Sequence, residues 1–251
     1  MKLLLTSLST VLTVSVLTFS LASHAVDLTL TTPKGFELKA SYYQSNKTSD
    51  RAVLLLHQCN YNRTMYNDIG QQLADNGIHA LSLDFRGFGE SATDEFSAEK
   101  LQKLPREERR KAWAAMSANW PKDVQLAYNH LKGKMSGNGI VGVVGASCGG
   151  SQAITLAENN PISLIGFFSS GQRDENIDRY KKILADKPTL IIASEEDRGT
   201  YESAKKLFST TTNANSKFIA YKGSAHGYPL LDSDTQLASY MVSWLDSQLT
   251  K

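Results

Sequence analysis

The sequence predicts an α/β fold: a mostly parallel, doubly wound sheet with helices on both faces, an antiparallel hairpin at one edge and a short helical cap insertion. Three observations predict it. Continuous apolar runs at 52–56, 140–144, 164–168 and 189–193 read as strands buried on both faces. Stretches of helical length separate them, so the repeating unit is strand, helix, strand, with parallel pairing and right-handed crossovers. One connection, from Ser91 to Trp120, is about thirty residues long, far above the usual loop length.

The elements follow in order. Residues 1–25 read as a signal peptide: Lys2 supplies a positive start, 3–21 is mostly apolar, and Ser23-His24-Ala25 offers small residues where a signal peptidase cuts. The competing reading is a retained membrane anchor, since the apolar stretch approaches the ~20 residues a span needs. Residues 26–251 form one domain. Residues 28–31 and 36–43 alternate and flank Pro33-Lys34-Gly35, a hairpin signature. Strand 52–56 follows, then a helix over 66–76 stopped by Gly77, then strand 78–85.

The insertion, 92–119, carries its own helix over 105–119. Trp113, Met116 and Trp120 fall at helical spacing along it. Two readings stand: the stripe packs on the body, or it lines a substrate pocket. Helix 121–131 starts with proline in its first turn. Strand 140–144, helix 149–158, strand 164–168, helix 176–184, strand 189–193, helix 201–208, strand 217–221 and helix 235–249 complete the chain.

Composition bounds the function. The chain is 41% hydrophobic and 21% charged, which is globular rather than disordered or fibrous. A net charge of +2 implies no polyanionic partner such as nucleic acid. The basic residues at 100–111 are interrupted by Glu107 and Glu108 and read as a solvated helix face. No segment after the first 25 residues is long and apolar enough for a membrane span.

The strongest chemical signal is Gly145-Ala146-Ser147-Cys148-Gly149-Gly150, a G-x-S-x-G pattern directly after an apolar strand and directly before a helix. A nucleophile at so sharp a turn crowds its neighbours, which demands glycine on both sides. The helix N-terminus then points backbone N–H groups at developing negative charge. No Lys-Ser/Thr follows, so this is no phosphate-binding loop, and the G-x-G-x-x-G spacing is absent. Cys148 is the rival nucleophile, one residue out of frame.

Serine needs a base. Of five histidines, His24 lies in the leader, His79 in a strand, His130 in a helix, and His57 at a strand end where a structural role is usual. His226 sits in the loop Gly223-Ser224-Ala225-His226-Gly227 after the last strand, where catalytic groups are presented. Strand 189–193 runs into Ser194-Glu195-Glu196-Asp197. Asp197 is the expected orienting acid, with Glu195 and Glu196 also within reach. The chain order is then Ser, Asp, His. No metal-ligand spacing is visible, and acyl transfer by such a triad requires no cofactor.

With these segments in hand, the chain resembles the α/β-hydrolase superfamily over nearly all of 26–251, and in detail its dienelactone-hydrolase-like branch. Leu54-Leu55-Leu56-His57 resembles the strand end that usually reads His-Gly-X, with Gln58 in place of the glycine. Asp84-Phe85-Arg86-Gly87-Phe88-Gly89-Glu90-Ser91 matches the D-x-R-G-x-G-x-S turn. That branch typically carries a cysteine nucleophile where this chain offers Ser147, which argues against dienelactone substrates. The resemblance implies an oxyanion hole made by the backbone N–H groups of Cys148 and Cys59, with Gln58 as the alternative to Cys59. If both cysteines serve one oxyanion, their backbones converge, and the resemblance then implies a Cys59–Cys148 disulfide in an oxidising compartment. Two free thiols packed as small apolar groups are the competing state.

The resulting expectation is an exported serine hydrolase, periplasmic or secreted, cleaving an ester in a small or medium-sized molecule. Peptidase and thioesterase chemistry use the same groups. A non-catalytic binding protein that kept the fold is the alternative from another class.

Overall fold

Strand β3 (Arg51–Leu56) shows why the sheet is buried on both sides. Ala52, Leu54 and Leu56 point into one hydrophobic cluster, and Val53 and Leu55 into the other. All five are fully buried. Each large apolar side chain so enclosed contributes roughly 1.5–3 kcal/mol. The apolar run lacks polar alternation because water touches neither face.

A computed structural model describes residues 25–250. The expected signal peptide therefore lies, but for Ala25, outside the described residues. Strands β1 (Val26–Thr31) and β2 (Glu37–Tyr43) form the antiparallel hairpin, in register Leu28 with Ala40. After β3, a short 3-10 turn (Arg63–Tyr66) leads into helix α1 (Asn67–Asp75), and strand β4 (His79–Leu83) follows. The insertion carries two helices, α2 (Ala98–Gln102) and α3 (Arg106–Ser117). Helix α4 (Trp120–Lys132) returns to the body. Strand β5 (Ile140–Ala146), helix α5 (Cys148–Ala157), strand β6 (Leu164–Phe168) and helix α6 (Asp174–Ile183) come next. Strand β7 (Thr189–Ser194), helix α7 (Thr200–Phe208), strand β8 (Lys217–Tyr221) and helices α8 (Tyr228–Ser233) and α9 (Leu237–Gln248) complete the fold.

The eight strands run in the order β1-β2-β4-β3-β5-β6-β7-β8. The first two pairings are antiparallel and the rest parallel. Residues of α1 and α9 pack in one cluster, and those of α4, α5, α6 and α7 in the other. The order reverses between β3 and β5, and a crevice outside the carboxyl ends of parallel strands opens at such a switch point.

Three sequence expectations need correction. Helix 66–76 begins as a 3-10 turn, because the side chain of Asn62 accepts the Thr64 N–H and caps the chain early. Helix α2 was not expected: it is one turn long and its cap, Ser97, is its main local signal. The final helix is preceded by a separate short one, α8, which opens at Gly227 and Tyr228-Pro229 immediately after His226. Too few residues for a hydrophobic period hid both short helices.

Candidate active site

The chain leaves the carboxyl ends of β3, β5, β7 and β8 at Cys59, Ser147, Asp197 and His226, on one side of the sheet. Ser147 stands between β5 and α5 with φ 48° and ψ −115°, a backbone that a non-glycine residue holds only when its surroundings enforce it. The enforcement is visible. Ser147 N–H donates to the Phe168 carbonyl at 2.9 Å, and the Ser147 carbonyl accepts from Gly150 N–H at 3.1 Å and from Ser170 Oγ at 2.5 Å. Gly145 must lack a side chain, since a Cβ there would stand 2.4 Å from the Gly149 and Gly150 backbone.

Asp197 follows β7 and is buried, whereas Glu195 and Glu196 are exposed. Glu195 pairs with Lys222 instead, at 2.6 Å. Asp197 Oδ2 lies 2.5 Å from His226 Nδ1. A carboxylate only accepts, so Nδ1 carries a proton, and in the neutral ring Nε2 is the accepting nitrogen. His226 and Ser147 line the same cavity, of about 570 Å³.

The histidine loop is pinned at three points around His226 that the sequence did not suggest. Ser194 Oγ donates to the Ala225 carbonyl at 2.6 Å. Gly227 N–H donates to Ser169 Oγ at 2.9 Å, with Ser169 itself buried at φ 44°. Tyr228 N–H donates to Gln58 Oε1 at 2.7 Å. Gln58 is buried and its Nε2 donates to Asn60 Oδ1 at 2.6 Å. A Cβ on residue 227 would fall 1.8 Å from Gln58 Oε1, which explains the glycine there. The residue in the usual glycine position of the strand end thus spends its side chain holding the base loop. The only hint in the sequence was small polar residues, such as Ser169-Ser170, at the ends of buried strands.

Cys59 and Cys148 are joined in a disulfide, with Cα atoms 5.8 Å apart. Cys148 therefore has no free thiol in this state and is not a competing nucleophile. Among the described residues no hydrogen bond occupies the N–H of Cys148 or of Cys59. His57 is structural: Nδ1 donates to the Gln58 carbonyl at 2.7 Å and Nε2 accepts from Phe85 N–H at 2.9 Å. Burial pushes its imidazole down to about 4, so it stays neutral.

The D-x-R-G-x-G-x-S turn is also architecture. Asp84 accepts from the Arg63 and Glu90 backbone N–H groups at 2.7 and 2.9 Å and pairs with the Arg63 guanidinium at 2.5 Å. Arg86 makes a buried two-point contact with Asp123 and stacks 3.8 Å over Phe36.

The family model described as serine aminopeptidase, S33, matches residues 47–172. The chain belongs to this family, within the α/β-hydrolase superfamily. In this S33 hydrolase the match covers the elbow and ends before Asp197 and His226. Three solved structures share the fold. A cold-adapted esterase from an Arctic intertidal metagenomic library is 18% identical with a TM-score of 0.68, covering 92% of this chain and 96% of that one. A predicted CIB-like hydrolase from Thermoplasma acidophilum is 15% identical, TM-score 0.66, covering 90% and 99%. A dienelactone hydrolase from Anabaena variabilis is 16% identical, TM-score 0.62, covering 91% and 100%. No curated protein sequence matches the chain.

The cap stripe of this S33 hydrolase divides between the two readings. Trp113 is half-buried and lines the cavity together with Trp120. Trp120 is otherwise enclosed: its Nε1 donates to the Arg86 carbonyl at 3.1 Å and its ring stacks on Phe85. Met116 does not reach the cavity. It is fully buried and packs over Gly87.

Proposed function

We propose that this S33 hydrolase is a serine esterase acting on small or medium-sized molecules, with Ser147 as nucleophile, His226 as base and Asp197 as orienting acid. The observation that carries this is the Asp197–His226 hydrogen bond beside a strained Ser147 in one cavity. In the proposed reaction Ser147 Oγ attacks the ester carbonyl while His226 Nε2 takes the hydroxyl proton. The carbonyl oxygen becomes an oxyanion held by the N–H groups of Cys148 and Cys59, each such donor being worth roughly 3–4 kcal/mol in the transition state. The C–O bond breaks as His226 returns the proton to the leaving alcohol. Water, deprotonated by His226, then releases the acid and restores Ser147.

The disulfide supports export to an oxidising compartment, periplasmic or secreted. Among the described residues no helix is long and apolar enough to cross a membrane. The experiment is labelling with a fluorophosphonate, then hydrolysis of p-nitrophenyl acetate and of aminoacyl p-nitroanilides. Ser147 should be the labelled residue, and Ser147→Ala should abolish labelling and lower turnover by on the order of 10⁴ or more. Labelling that survives in Ser147→Ala would overturn the assignment. Faster cleavage of the anilides would make the protein a peptidase, as the family description names. Binding without turnover of either would leave a non-catalytic member of the fold.

A further inference from the structure

Fourteen residues line the cavity at Ser147, and none has an aliphatic side chain. Trp113 and Trp120 supply its apolar surface, and the rest is hydroxyl, amide, charge, the cystine and backbone. A pocket built for an alkyl chain is lined by leucine, valine and phenylalanine, because each buried methylene is favourable only against carbon. This wall offers a chain of methylenes little besides two indoles.

Most of the polar groups are already engaged. Gln172 Nε2 donates to Ser170, Asn176 Nδ2 donates to Gln172 Oε1, and Arg179 donates to Asn176. Ser151 Oγ donates to the Cys148 carbonyl. Besides the hydroxyls of Ser147 and Thr200 and the Trp113 indole N–H, three polar side chains remain. Among the described residues the side chains of Arg173, Glu175 and Gln152 have no hydrogen-bond or ion-pair partner, and Gln152 keeps a buried Oε1 unsatisfied. Arg173 precedes helix α6 and Glu175 lies in its first turn, after β6 in the chain.

The charges choose the ligand class. An anionic substrate attracted to Arg173 meets Glu175 two residues on, and a cationic substrate drawn to Glu175 meets Arg173. A hydroxyl suits both at once, since a guanidinium only donates, a carboxylate only accepts, and a hydroxyl does either. A sugar or polyol also presents a face of C–H bonds that packs on an aromatic ring such as Trp113. The volume, about 570 Å³, lies within the roughly 300–1,000 Å³ of small-molecule sites.

We propose that the cavity binds a neutral, hydroxyl-rich ester, such as an O-acetylated sugar or polyol, in preference to an ester with a long alkyl chain. Arg173, Glu175 and Gln152 read the hydroxyl or acetyl oxygens, and Trp113 packs on the ring. The inference rests on the esterase reading of Ser147, Asp197 and His226 for its chemistry, which is the acyl transfer given above with a sugar hydroxyl as leaving group.

The test compares kcat/KM for 6-O-acetylglucose, which keeps its free hydroxyls, and methyl hexanoate, followed by titration of released acid, with p-nitrophenyl acetate as the reference for the esterase reading. The acetylglucose should be preferred by about tenfold or more. Arg173→Ala and Glu175→Ala should each lower the ratio of acetylglucose to hexanoate rates by about tenfold, the worth of a lost charge-assisted hydrogen bond. A preference for methyl hexanoate, or a ratio unmoved by both variants, overturns the proposal. A second measurement separates it from the esterase reading. Trp113 and Trp120 line the cavity, so the tryptophan fluorescence of Ser147→Ala reads occupancy without turnover. A saturable response to 6-O-acetylglucose, weakened by Glu175→Ala, upholds the ligand class even if no ester is hydrolysed. A response to methyl hexanoate alone sinks it, whatever the fate of the triad.

Discussion

The two sides of the cavity are built on different physics. On the sheet side, buried hydrogen bonds from Gln58, Ser169, Ser170 and Ser194 hold the elbow and the histidine loop atom by atom. On the cap side, aromatic rings pack without directional bonds apart from Trp120 to the Arg86 carbonyl. The cap's ion pairs, such as Lys103–Glu99 and Arg110–Glu107, lie out in solvent. A base must sit within a few tenths of an ångström of its proton, which directional bonds in a low dielectric secure. A substrate wall needs only shape and surface, which tolerates looser packing. The sheet side should therefore be intolerant of polar deletions and the cap side tolerant of them.

The sharpest way to break this contrast is to remove the covalent tie on the sheet side. The disulfide closes a separation of 89 residues, and the chain-entropy model assigns such a loop about 4–5 kcal/mol. Cys59→Ala with Cys148→Ala should lose stability of that order in denaturant unfolding. Alkylation of denatured, unreduced wild-type protein should find no thiol. Two alkylatable thiols in protein from an oxidising compartment would remove the tie from the comparison.

Next is His57, buried under the oxyanion segment. The unfolded imidazole takes a proton near pH 6.5, and the folded one not until about 4. The unfolded state thus binds more protons inside that window, and stability rises with pH there. The contribution is fully present above 6.5 and is lost as pH falls toward 4, by about 3 kcal/mol across the window. Unfolding curves of wild type and His57→Gln between pH 7.5 and 4 isolate it. Parallel pH dependences would show that His57 does not carry it.

A smaller effect is expected from Gln58→Gly, which restores the residue usual at that position. The Tyr228 N–H loses its acceptor, and the His226 loop gains freedom. kcat should fall about tenfold with KM little changed, as expected for one buried hydrogen bond that positions the base. An unchanged kcat would mean that Ser169 and Ser194 suffice. The smallest effect belongs to the cap. Glu107→Gln breaks a fully exposed pair and should leave the melting temperature and kcat/KM unchanged within error. A marked loss in either would erase the distinction between the two sides.

Sequence alone determined the strand order and the longer helices, and it pointed to the Ser147 elbow, to His226 over four other histidines and to Asp197 among three neighbouring acids. These are local signals. An apolar run states its own burial, a strand-to-helix turn states its need for glycine, and a loop after a strand states what it presents. The Cys59–Cys148 pairing was implied by the resemblance, against two free thiols, and the structure shows the two joined. Only the tertiary structure decided what lies between the segments. Gln58 grips a loop 170 residues away, Ser169 accepts from residue 227, Met116 is buried while Trp113 lines the cavity, and the Arg173 and Glu175 side chains stand unpaired in the cavity of Ser147. No period or motif states any of these contacts. Each depends on which strand ends the sheet order brings together, and that order is fixed by packing across the whole chain.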